Sequence, residues 1–308
     1  MDLHGTQVTV TGGAGFVGSH LVERLAPDND VLAVDDCSNG DPSAVPDAAT
    51  FLEGDVTDPA VVADAITAQT DVVFHLAAAK AVDTDRPREQ FEANAAMTYN
   101  VLERMDEVGS NALAYTSSST VYGEAPRPTP EDYAPLEPIS AYGAGKLAEE
   151  GLVSTYAHSH GIQSWVFRFA NIVGPRLRGA VIPDFIEKLR EDPDRLVILG
   201  DGKQEKSYMH VEDCVDAIGH VVANADGPLT QCNLGTRTTT SVDRIADIVS
   251  DVLGVDPTYE YTGGDRGWTG DVPRMRLSVE KLAGLGWEPD RSSDDAVRQA
   301  AEELTEEL

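Results

Sequence analysis

The segment Val8–Leu21, VTVTGGAGFVGSHL, leads from a β-branched strand pattern through a glycine-rich loop into a helical pattern. Its glycines satisfy G-x-G-x-x-G with Gly13, Gly15 and Gly18, and G-x-x-G-x-x-G with Gly12 in the first place. Glycine permits a tight turn and close backbone approach to a pyrophosphate, and the following helix points its N–H groups and positive dipole end at that group. The segment therefore predicts a parallel α/β fold that begins with a dinucleotide-binding unit.

The rest of the first half of the chain alternates short β-branched runs with longer amphipathic stretches. This alternation predicts βαβ crossovers and a doubly wound parallel sheet of the Rossmann type. The predicted strands are Gln7–Val10, Val31–Val34, Thr50–Leu52, Val72–His75, Ala112–Ser117 and Ser164–Phe169, and the predicted helices are Phe16–Leu25, Pro59–Ala68, Phe91–Val108 and Tyr142–His158.

The pattern changes after about residue 175, where the segments become shorter and richer in glycine and proline. We therefore expect a dinucleotide-binding Rossmann domain over residues 1–174 and a smaller, interleaved C-terminal substrate lobe over residues 175–308. Segments near 211–235, with Val211–Val222 and Thr230–Leu234, are expected to join the main domain. A helix over Asp294–Leu308 is predicted to close the chain.

The net charge of the chain is unusual: 53 acidic residues stand against 23 basic ones among 308, giving −30. No basic stripe is available to neutralise phosphates, so nucleic-acid binding is disfavoured. The acidic residues are dispersed through structured sequence, and molar salt, with a Debye length of ~3 Å, removes their mutual repulsion. We hypothesise adaptation to a high-salt cytoplasm, with an ordinary acidic enzyme as the alternative.

The cysteines and the apolar runs argue against several other classes of protein. Cys37, Cys214 and Cys232 are odd in number and far apart, so neither a disulfide framework nor a C-x-x-C metal site is expected, and no metal is predicted. We expect reduced thiols in a cytoplasmic protein. No apolar run approaches the ~18 residues that span a bilayer, and no secretory signal is visible, so no membrane partner is expected.

Asp35 ends the second predicted strand, 17 residues after Gly18. A carboxylate at this position can accept hydrogen bonds from the adenosine ribose hydroxyls. It also repels a 2′-phosphate, which favours NAD over NADP as the cofactor. The alternative is a structural glycine turn that happens to precede a solvated aspartate.

Two further motifs carry a serine, a tyrosine and a lysine: TSSSTVYG, Thr116–Gly123, at a strand end, and SAYGAGK, Ser140–Lys146, at a helix start. Tyr142 and Lys146 are i and i+4, so both project from one helix face. The ammonium lowers the pKa of the phenol by favouring phenolate. A tyrosine base and a serine hydroxyl on one oxygen suit hydride transfer. A chance surface pair of tyrosine and lysine is the alternative.

Together these motifs resemble the extended short-chain dehydrogenase/reductases of the NAD-dependent epimerase/dehydratase family, and among them the UDP-galactose (UDP-glucose) 4-epimerases. The resemblance runs over roughly residues 6 to 290 and includes GDVTD, Gly54–Asp58, and HLAAAKAV, His75–Val82. It implies Ser118, Tyr142 and Lys146 as catalytic residues. It places at NAD the residues Gly12, Gly15, Phe16, Val17, Gly18, Asp35, Asp36, Asn39, Gly40, Asp55, Val56, Leu76, Ala77, Ala78, Lys80, Asn94, Ser117, Tyr142 and Lys146.

Three later segments resemble the parts of the family that hold a nucleotide sugar: Arg168–Gly179, Gly179–Ile186 and Asp265–Val272. Lys206 starts a Lys-Ser-Tyr sequence where many members carry Arg-Asp-Tyr, and lysine lacks the bidentate fork of arginine. A solvated Lys206 is therefore an alternative. The resemblance implies a UDP-sugar substrate in contact with Lys80, Ser118, Ser119, Tyr142, Asn171, Val181, Lys206, Tyr208, Arg266 and Asp271.

The residues after Ser118 bear on the reaction. Dehydratases of similar architecture place Asp-Glu there, whereas this chain has Ser119 and Thr120, neither of which is a carboxyl acid or base. The resemblance therefore implies 4-epimerisation of UDP-glucose and UDP-galactose. Alternatives are an epimerase for UDP-N-acetylhexosamines or UDP-uronates, a nucleotide-sugar dehydrogenase or reductase, and a non-catalytic NAD-binding regulator. The resemblance also implies a homodimer through Phe91–Val108 and Tyr142–His158, although these faces could be buried within one subunit.

Overall fold

The computed structural model describes residues 1–80, 86–267 and 270–308. Two segments of the resemblance, 75–82 and 265–272, therefore extend into residues that lie outside the description. The strands are β1 (Gln7–Thr11), β2 (Asp30–Asp35), β3 (Thr50–Glu53), β4 (Val72–His75), β5 (Ala112–Ser118), β6 (Gln163–Phe169), β7 (Asn171–Val173), β8 (Arg195–Ile198), β9 (Glu205–Lys206), β10 (Tyr208–His210), β11 (Leu229–Leu234), β12 (Thr240–Ser241), β13 (Thr258–Tyr261) and β14 (Arg274–Met275). The helices are α1 (Phe16–Leu25), α2 (Pro59–Ala65), α3 (Pro87–Val108), α4 (Ala141–Ser159), α5 (Val181–Glu191), α6 (Val211–Asn224), α7 (Val242–Leu253), α8 (Glu280–Gly284) and α9 (Ser293–Glu307).

Seven strands form one sheet in the order β11-β6-β5-β4-β1-β2-β3. β1 pairs in parallel with β2 on one side and with β4 on the other, and Val8 is opposite Val31 and Val72 in these pairs. The strand order therefore reverses direction at β1, and the carboxyl ends beside such a switch point are where ligands bind in doubly wound sheets. The predicted Rossmann sheet is confirmed, and each of the six predicted strands is found to within one residue at either end.

The helix prediction fails at the end of α2, which stops at Ala65 rather than Ala68. Ile66 is extended, with φ −120° and ψ 114°, and its side chain is fully buried. The next residues form a turn in which the Thr67 N–H donates to the Thr70 hydroxyl at 3.0 Å. Threonine hydroxyls that bond nearby backbone compete with helix continuation, and this local turn ended the helix early.

The chain folds into two compact units. Unit 1 holds the seven-stranded sheet and comprises Met1–Val121, Ala141–Arg168 and Ile218–Cys232. Unit 2 holds the short sheets β10-β7, β12-β9-β14 and β13-β8, and comprises Tyr122–Ser140, Phe169–Ala217 and Asn233–Leu308.

One apolar cluster in unit 1 packs α3 and α4 against the sheet. Its strand residues include Val34, Val73, Leu113 and Val166, and its helix residues include Val101, Leu102, Met105 and Val153, all fully buried. Removing this much apolar surface from water is the main stabilising contribution to such a unit. The packing holds the first turn of α4 in a defined place relative to the carboxyl end of β5.

Within residues 1–80, 86–267 and 270–308, no helix is long and apolar enough to cross a membrane. In the same ranges, no group of three or more His, Cys, Asp or Glu side chains is arranged to hold a metal ion. Cys37, Cys214 and Cys232 are free thiols, and the last two are buried.

Candidate active site

The glycine loop of unit 1 is packed so tightly that two of its glycines have no room for a side chain. Gly12 has φ +72°, and a Cβ there would lie 2.7 Å from the Ala77 nitrogen. A Cβ on Gly18 would lie 1.9 Å from the carbonyl oxygen of Gly12. The turn, the start of α1 and the segment after β4 therefore meet through bare backbone, which leaves the loop surface open to a phosphate.

The N-terminus of α1 is an anion site by its construction. Gly15 is the N-cap and has no side chain to satisfy the N–H groups of the first turn. That turn carries no acidic residue, so its positive dipole end is not neutralised from within. Uncapped N–H groups and an unopposed helix dipole stabilise a pyrophosphate at this position.

We expect Gly18→Ala to unfold the loop locally, because the new Cβ collides with backbone that cannot move without breaking the turn. Overpacking of this kind costs about 3 kcal/mol. Gly151→Ala is the matched control: Gly151 is also a helical glycine, and a Cβ there meets no atom within 4 Å. That control should gain about 0.5–1 kcal/mol from helix propensity. Urea denaturation and the NAD content of purified protein measure both effects, and wild-type values for Gly18→Ala would contradict the packing argument.

Asp35, at the end of β2, is only 8% exposed and its carboxylate is fixed by backbone donors. Oδ2 accepts from the Ala14 N–H at 3.0 Å, and Oδ1 accepts from the Cys37 N–H at 2.9 Å. A Cβ on Gly40 would lie 2.8 Å from Oδ1, so this glycine lets the next loop close over the carboxylate. Asp35 is thus held directly beside the glycine loop, as a ribose acceptor must be.

The other residues predicted at NAD follow the glycine loop and the carboxyl ends of neighbouring strands. Asn94 is 1% exposed and clamps the backbone of Ala79: its Oδ1 accepts from the Ala79 N–H at 2.7 Å, and its Nδ2 donates to the Ala79 carbonyl at 3.1 Å. Asn94 therefore shapes the segment after β4. Phe16 and Val17 lie in the first turn of α1, Asp36 and Asn39 after β2, Asp55 and Val56 after β3, and Leu76, Ala78 and Lys80 after β4.

Ser118 is the last residue of β5, and its hydroxyl oxygen is an acceptor in both hydrogen bonds that the structure gives it. The Thr120 N–H donates to Ser118 Oγ at 3.2 Å and the Thr120 hydroxyl donates at 3.0 Å. Within the described part of the chain, these hydrogen bonds do not use the hydroxyl proton of Ser118. Ser117 differs, because its hydroxyl donates to Glu150 at 2.6 Å within the protein interior.

Tyr142 and Lys146 lie one turn apart at the start of α4, and the Lys146 Nζ is 6.0 Å from the centroid of the Tyr142 ring. Burial raises the pKa of Tyr142, Lys146 lowers it, and Glu149 raises it. The lysine thus acts in the predicted direction. The pKa of Tyr142 is nevertheless raised in this structure, because desolvation of the phenolate outweighs the ammonium.

Lys146 is 1% exposed, so the alternative of a chance surface pair of tyrosine and lysine is excluded by its burial. Its ammonium donates to the Tyr115 hydroxyl at 3.1 Å and to Glu149 Oε2 at 3.3 Å. A lysine buried to this degree needs partners for its charge. Neither Tyr115 nor Glu149 was predicted as part of the site.

A chain of buried hydrogen bonds continues from Glu149 across the sheet to β1. The Thr98 hydroxyl donates to Glu149 Oε2 at 2.9 Å and lies 3.2 Å from His75 Nε2. His75 Nδ1 lies 2.7 Å from the Thr11 hydroxyl. Burial, with a smaller effect of Lys146, lowers the pKa of His75 to about 3, so this histidine is neutral near neutral pH. The network therefore contains one cation, Lys146, among these groups.

A second buried network lies next to the first on α4. Glu150 accepts from Arg168 through both oxygens, at 2.9 Å from Nε and 2.7 Å from Nη2, and from Ser117. Arg168 is 1% exposed and Glu150 is 4% exposed. The i, i+4 spacing of Lys146 and Glu150 would suggest an ion pair between them, but Glu150 pairs with Arg168 instead. The partners come from other strands, which no local pattern indicates.

In unit 2, two pairs of predicted substrate residues are brought together. Tyr208 of β10 lies opposite Asn171 of β7 in a parallel pair. Lys206 Nζ is 2.5 Å from Asp271 Oδ1, and the lysine side chain is 20% exposed, so Lys206 is not a solvated surface lysine. Asp271 is also held by the Gly267 N–H at 3.1 Å.

Arg266 of unit 2 is the other predicted phosphate cation. It donates to the backbone carbonyl of Asp271 and forms an ion pair with Glu124, a residue that was not predicted. Val181 begins α5, whose N-cap Ala180 leaves the helix start without a side-chain cap. Both predicted phosphate cations, Lys206 and Arg266, are thus paired with carboxylates.

A protein-family model matches most of the chain. The model of the NAD dependent epimerase/dehydratase family matches residues 8–235. The chain belongs to this family. The predicted resemblance is therefore confirmed. Members of this family are enzymes that use NAD as their cofactor. The geometry of the loop Gly12–Gly18 and of the Asp35 carboxylate is compatible with that cofactor.

Individual relatives act on UDP-sugars but differ in their named reactions. A crystal structure of a UDP-galactose 4-epimerase is 41% identical, with a TM-score of 0.90 over 98% of this chain and 100% of that chain. The UDP-glucose 4-epimerase of Thermus thermophilus, in complex with NAD, is 30% identical, with a TM-score of 0.87 over 97% of this chain and 99% of that chain. UDP-glucuronic acid decarboxylase 2 of Arabidopsis thaliana is 32% identical over 92% of this chain and 65% of the plant protein.

Proposed function

We propose that this protein interconverts UDP-glucose and UDP-galactose by reversible oxidation at C4. The observation that carries the proposal is the site on β5 and α4: Ser118, Tyr142 and Lys146 are present, whereas Ser119 and Thr120 offer no carboxyl group for elimination of water. The similarity to the 41% identical UDP-galactose 4-epimerase supports the same reaction.

In the proposed mechanism, Tyr142 takes the proton from the sugar 4-hydroxyl and Ser118 donates a hydrogen bond to the same oxygen. Lys146 stabilises the phenolate by its charge. NAD, when bound, would supply the hydride acceptor and donor for C4. The 4-keto sugar turns about its link to the diphosphate, so that the opposite face of C4 can receive the hydride, and Tyr142 returns its proton to the 4-oxygen.

The residues of unit 2 supply the proposed contacts of the nucleotide. Arg266 and Lys206 carry charge for the diphosphate, and Asp271 would hold a ribose hydroxyl. Asn171 and Val181 are assigned to the same nucleotide by the resemblance. An ammonium binds phosphate as a point charge, so Lys206 contributes less orientation than the guanidinium of Arg266 does.

The test is incubation with UDP-glucose, UDP-galactose, UDP-N-acetylglucosamine and UDP-glucuronic acid, each without added NAD. Epimerisation of the first two by protein as purified supports the proposal. A requirement for stoichiometric NAD would assign a dehydrogenase, and conversion restricted to UDP-N-acetylglucosamine or UDP-glucuronic acid would assign another epimerase. Release of carbon dioxide from UDP-glucuronic acid would assign the reaction named for the plant relative.

We propose that this enzyme works in a high-salt cytoplasm, because its net charge is −30 and its cysteines are unlinked. In ~0.1 M KCl the surface carboxylates repel one another, whereas multimolar KCl screens that repulsion. The melting temperature should therefore rise steeply between these two conditions. Equal melting temperatures in both would leave an ordinary acidic enzyme as the explanation.

We also propose a homodimer through α3 and α4, as the resemblance implies. Phe91 and Tyr99 lie eight residues apart on α3, which places them on one helix face. They are 38% and 43% exposed, so both are available for burial against a partner subunit. Light scattering of the purified protein measures the mass, and a monomer at all concentrations would contradict the proposal.

A further inference from the structure

Glu149 is a carboxylate in the protein interior, three residues after Lys146 on α4. It is 1% exposed. Its Oε2 accepts three hydrogen bonds, from the Tyr115 hydroxyl at 2.8 Å, the Thr98 hydroxyl at 2.9 Å and the Lys146 ammonium at 3.3 Å. These donors come from β5, α3 and α4, so three elements converge on one oxygen atom.

The other oxygen of Glu149 differs from Oε2 in its hydrogen bonding. Oε1 is inaccessible and accepts no hydrogen bond from the described part of the chain. The adjacent Glu150 has donors on both oxygens. The unpaired oxygen of a buried carboxylate is destabilising, whereas the ion pair offsets part of the cost of burying Lys146. An amide oxygen at this position could accept the same hydrogen bonds, so the pairing of these donors does not by itself require a negative charge.

The position of the Lys146 ammonium gives a reason for the negative charge at Glu149. Glu149 and Tyr115 hold the Nζ atom 4.9 Å from the centroid of the Tyr115 ring and 6.0 Å from that of Tyr142. The negative charge of Glu149 is in contact with the one cation that favours the Tyr142 phenolate. It therefore offsets part of the field that Lys146 exerts on the reacting hydroxyl.

We propose that Glu149 is a positioning residue for the reaction at Tyr142: it anchors the Lys146 ammonium and limits the positive charge that Tyr142 experiences. The proposal rests on the proposed function, since it concerns the same site. A reversible reaction asks Tyr142 to be a base in one step and an acid in the other. Lys146 makes the phenol acidic enough to give up its proton, and the carboxylate behind the lysine keeps the phenolate basic enough to take the proton back.

The groups that face this cluster are few. Lys146 and Tyr142 face it from α4, Tyr115 from β5, and Thr98 from α3, with His75 of β4 behind Thr98. His75 is neutral, and burial and Glu149 keep the pKa of Tyr115 well above its usual value. Within the described residues, Glu150 is a further carboxylate close to Tyr115, whose pKa it also raises, and Glu149 raises the pKa of Tyr142.

The test removes the charge of Glu149 and follows Tyr142 directly. Phenolate absorbance is titrated in the NAD-loaded protein, and the titration of Tyr142→Phe is subtracted to isolate Tyr142. We expect Glu149→Gln and Glu149→Leu each to lower the titration midpoint of Tyr142 by about one pH unit. Gln keeps an oxygen that can accept from Lys146, Tyr115 and Thr98, so Glu149→Gln should remain folded, whereas Glu149→Leu leaves these donors without an acceptor and should be less stable. Glu149→Asp keeps the charge and should restore most of the wild-type midpoint.

Glu150→Gln is the control, because it removes a neighbouring buried carboxylate that contacts Arg168 and Ser117 instead of Lys146. It should lower stability and leave the Tyr142 midpoint unchanged. The acid limb of the pH profile of kcat/KM should move with the midpoint in the Glu149 variants. An unchanged midpoint in a folded Glu149→Gln or Glu149→Leu protein overturns the inference. A shifted midpoint in a protein that converts no UDP-sugar supports the inference and refutes the proposed function.

Discussion

Replacing Tyr142 with phenylalanine is expected to reduce turnover of the UDP-sugar by about 10³-fold or more, because the reaction loses its proton acceptor. The ring is kept, so α4 and the packing around Lys146 should persist. NAD binding depends mainly on the loop Gly12–Gly18 and on Asp35, which the substitution leaves in place. The expected result is a folded protein with near wild-type NAD content and no measurable epimerisation.

The matched control is Tyr156→Phe, which removes a hydroxyl from another largely buried tyrosine of the same helix. Tyr156 packs edge-on against Tyr99 and stacks on His160 at the other end of α4. It should keep its activity. Rates are measured by separating the product UDP-sugar from the substrate, and NAD is released by denaturation and quantified. Retained turnover in Tyr142→Phe would refute the assigned role of this residue.

Arg168→Met is expected to cause the largest loss of stability, about 3–5 kcal/mol. The substitution leaves the carboxylate of Glu150 buried without the guanidinium that contacts both of its oxygens. The hydroxyl of Ser117 and the more distant amide of Gln231 remain, and neither carries a charge. Urea denaturation followed by circular dichroism measures the change.

Two further variants distinguish the effect of breaking the buried Arg168–Glu150 ion pair from the effect of losing an arginine side chain. Arg195→Met breaks an exposed pair with Glu260, 2.6 Å long and about half exposed on both sides, and should change the stability little. Arg168→Met combined with Glu150→Leu removes both charges, and it should be more stable than Arg168→Met alone. If the double variant is no more stable than the single one, the cost comes from lost packing instead of an unpaired charge.

The parts of the fold that local sequence predicted well are those with strong periodicity. β1, the glycine loop and α1 were found at their predicted positions because the strand pattern, the glycines and the helical pattern follow one another without a gap. α2 was predicted too long because the turn at Thr67 and Thr70 depends on side-chain hydrogen bonds that its apolar pattern does not show. α3 begins at Pro87 instead of Phe91, since proline is well suited to the first turn of a helix.

The residues of the site likewise differ in how well the sequence predicts them. Tyr142 and Lys146 could be paired from their spacing, because i and i+4 share a helix face wherever the helix lies. The shift in the pKa of Tyr142 could not be predicted from this spacing. Burial decides whether that pKa rises or falls, and burial depends on what packs over α4. The sequence shows Glu149 seven residues after Tyr142. Its role could not be predicted, because that role depends on where Tyr115 and Thr98 lie in the fold.

The amino-acid sequence by itself determined the βαβ start of the chain, the acceptor Asp35 at the end of β2, and the tyrosine–lysine pair on one helix face. Each of these follows from a local period or a fixed loop length. Only the tertiary structure decided that Lys146 is buried against Glu149 and that Ser117 serves Glu150. Ser117 lies far from Glu150 in the chain, and Tyr115 and Thr98 lie far from the Glu149 that they contact. The position of β5 in the sheet and the packing of α3 on α4 bring these residues together.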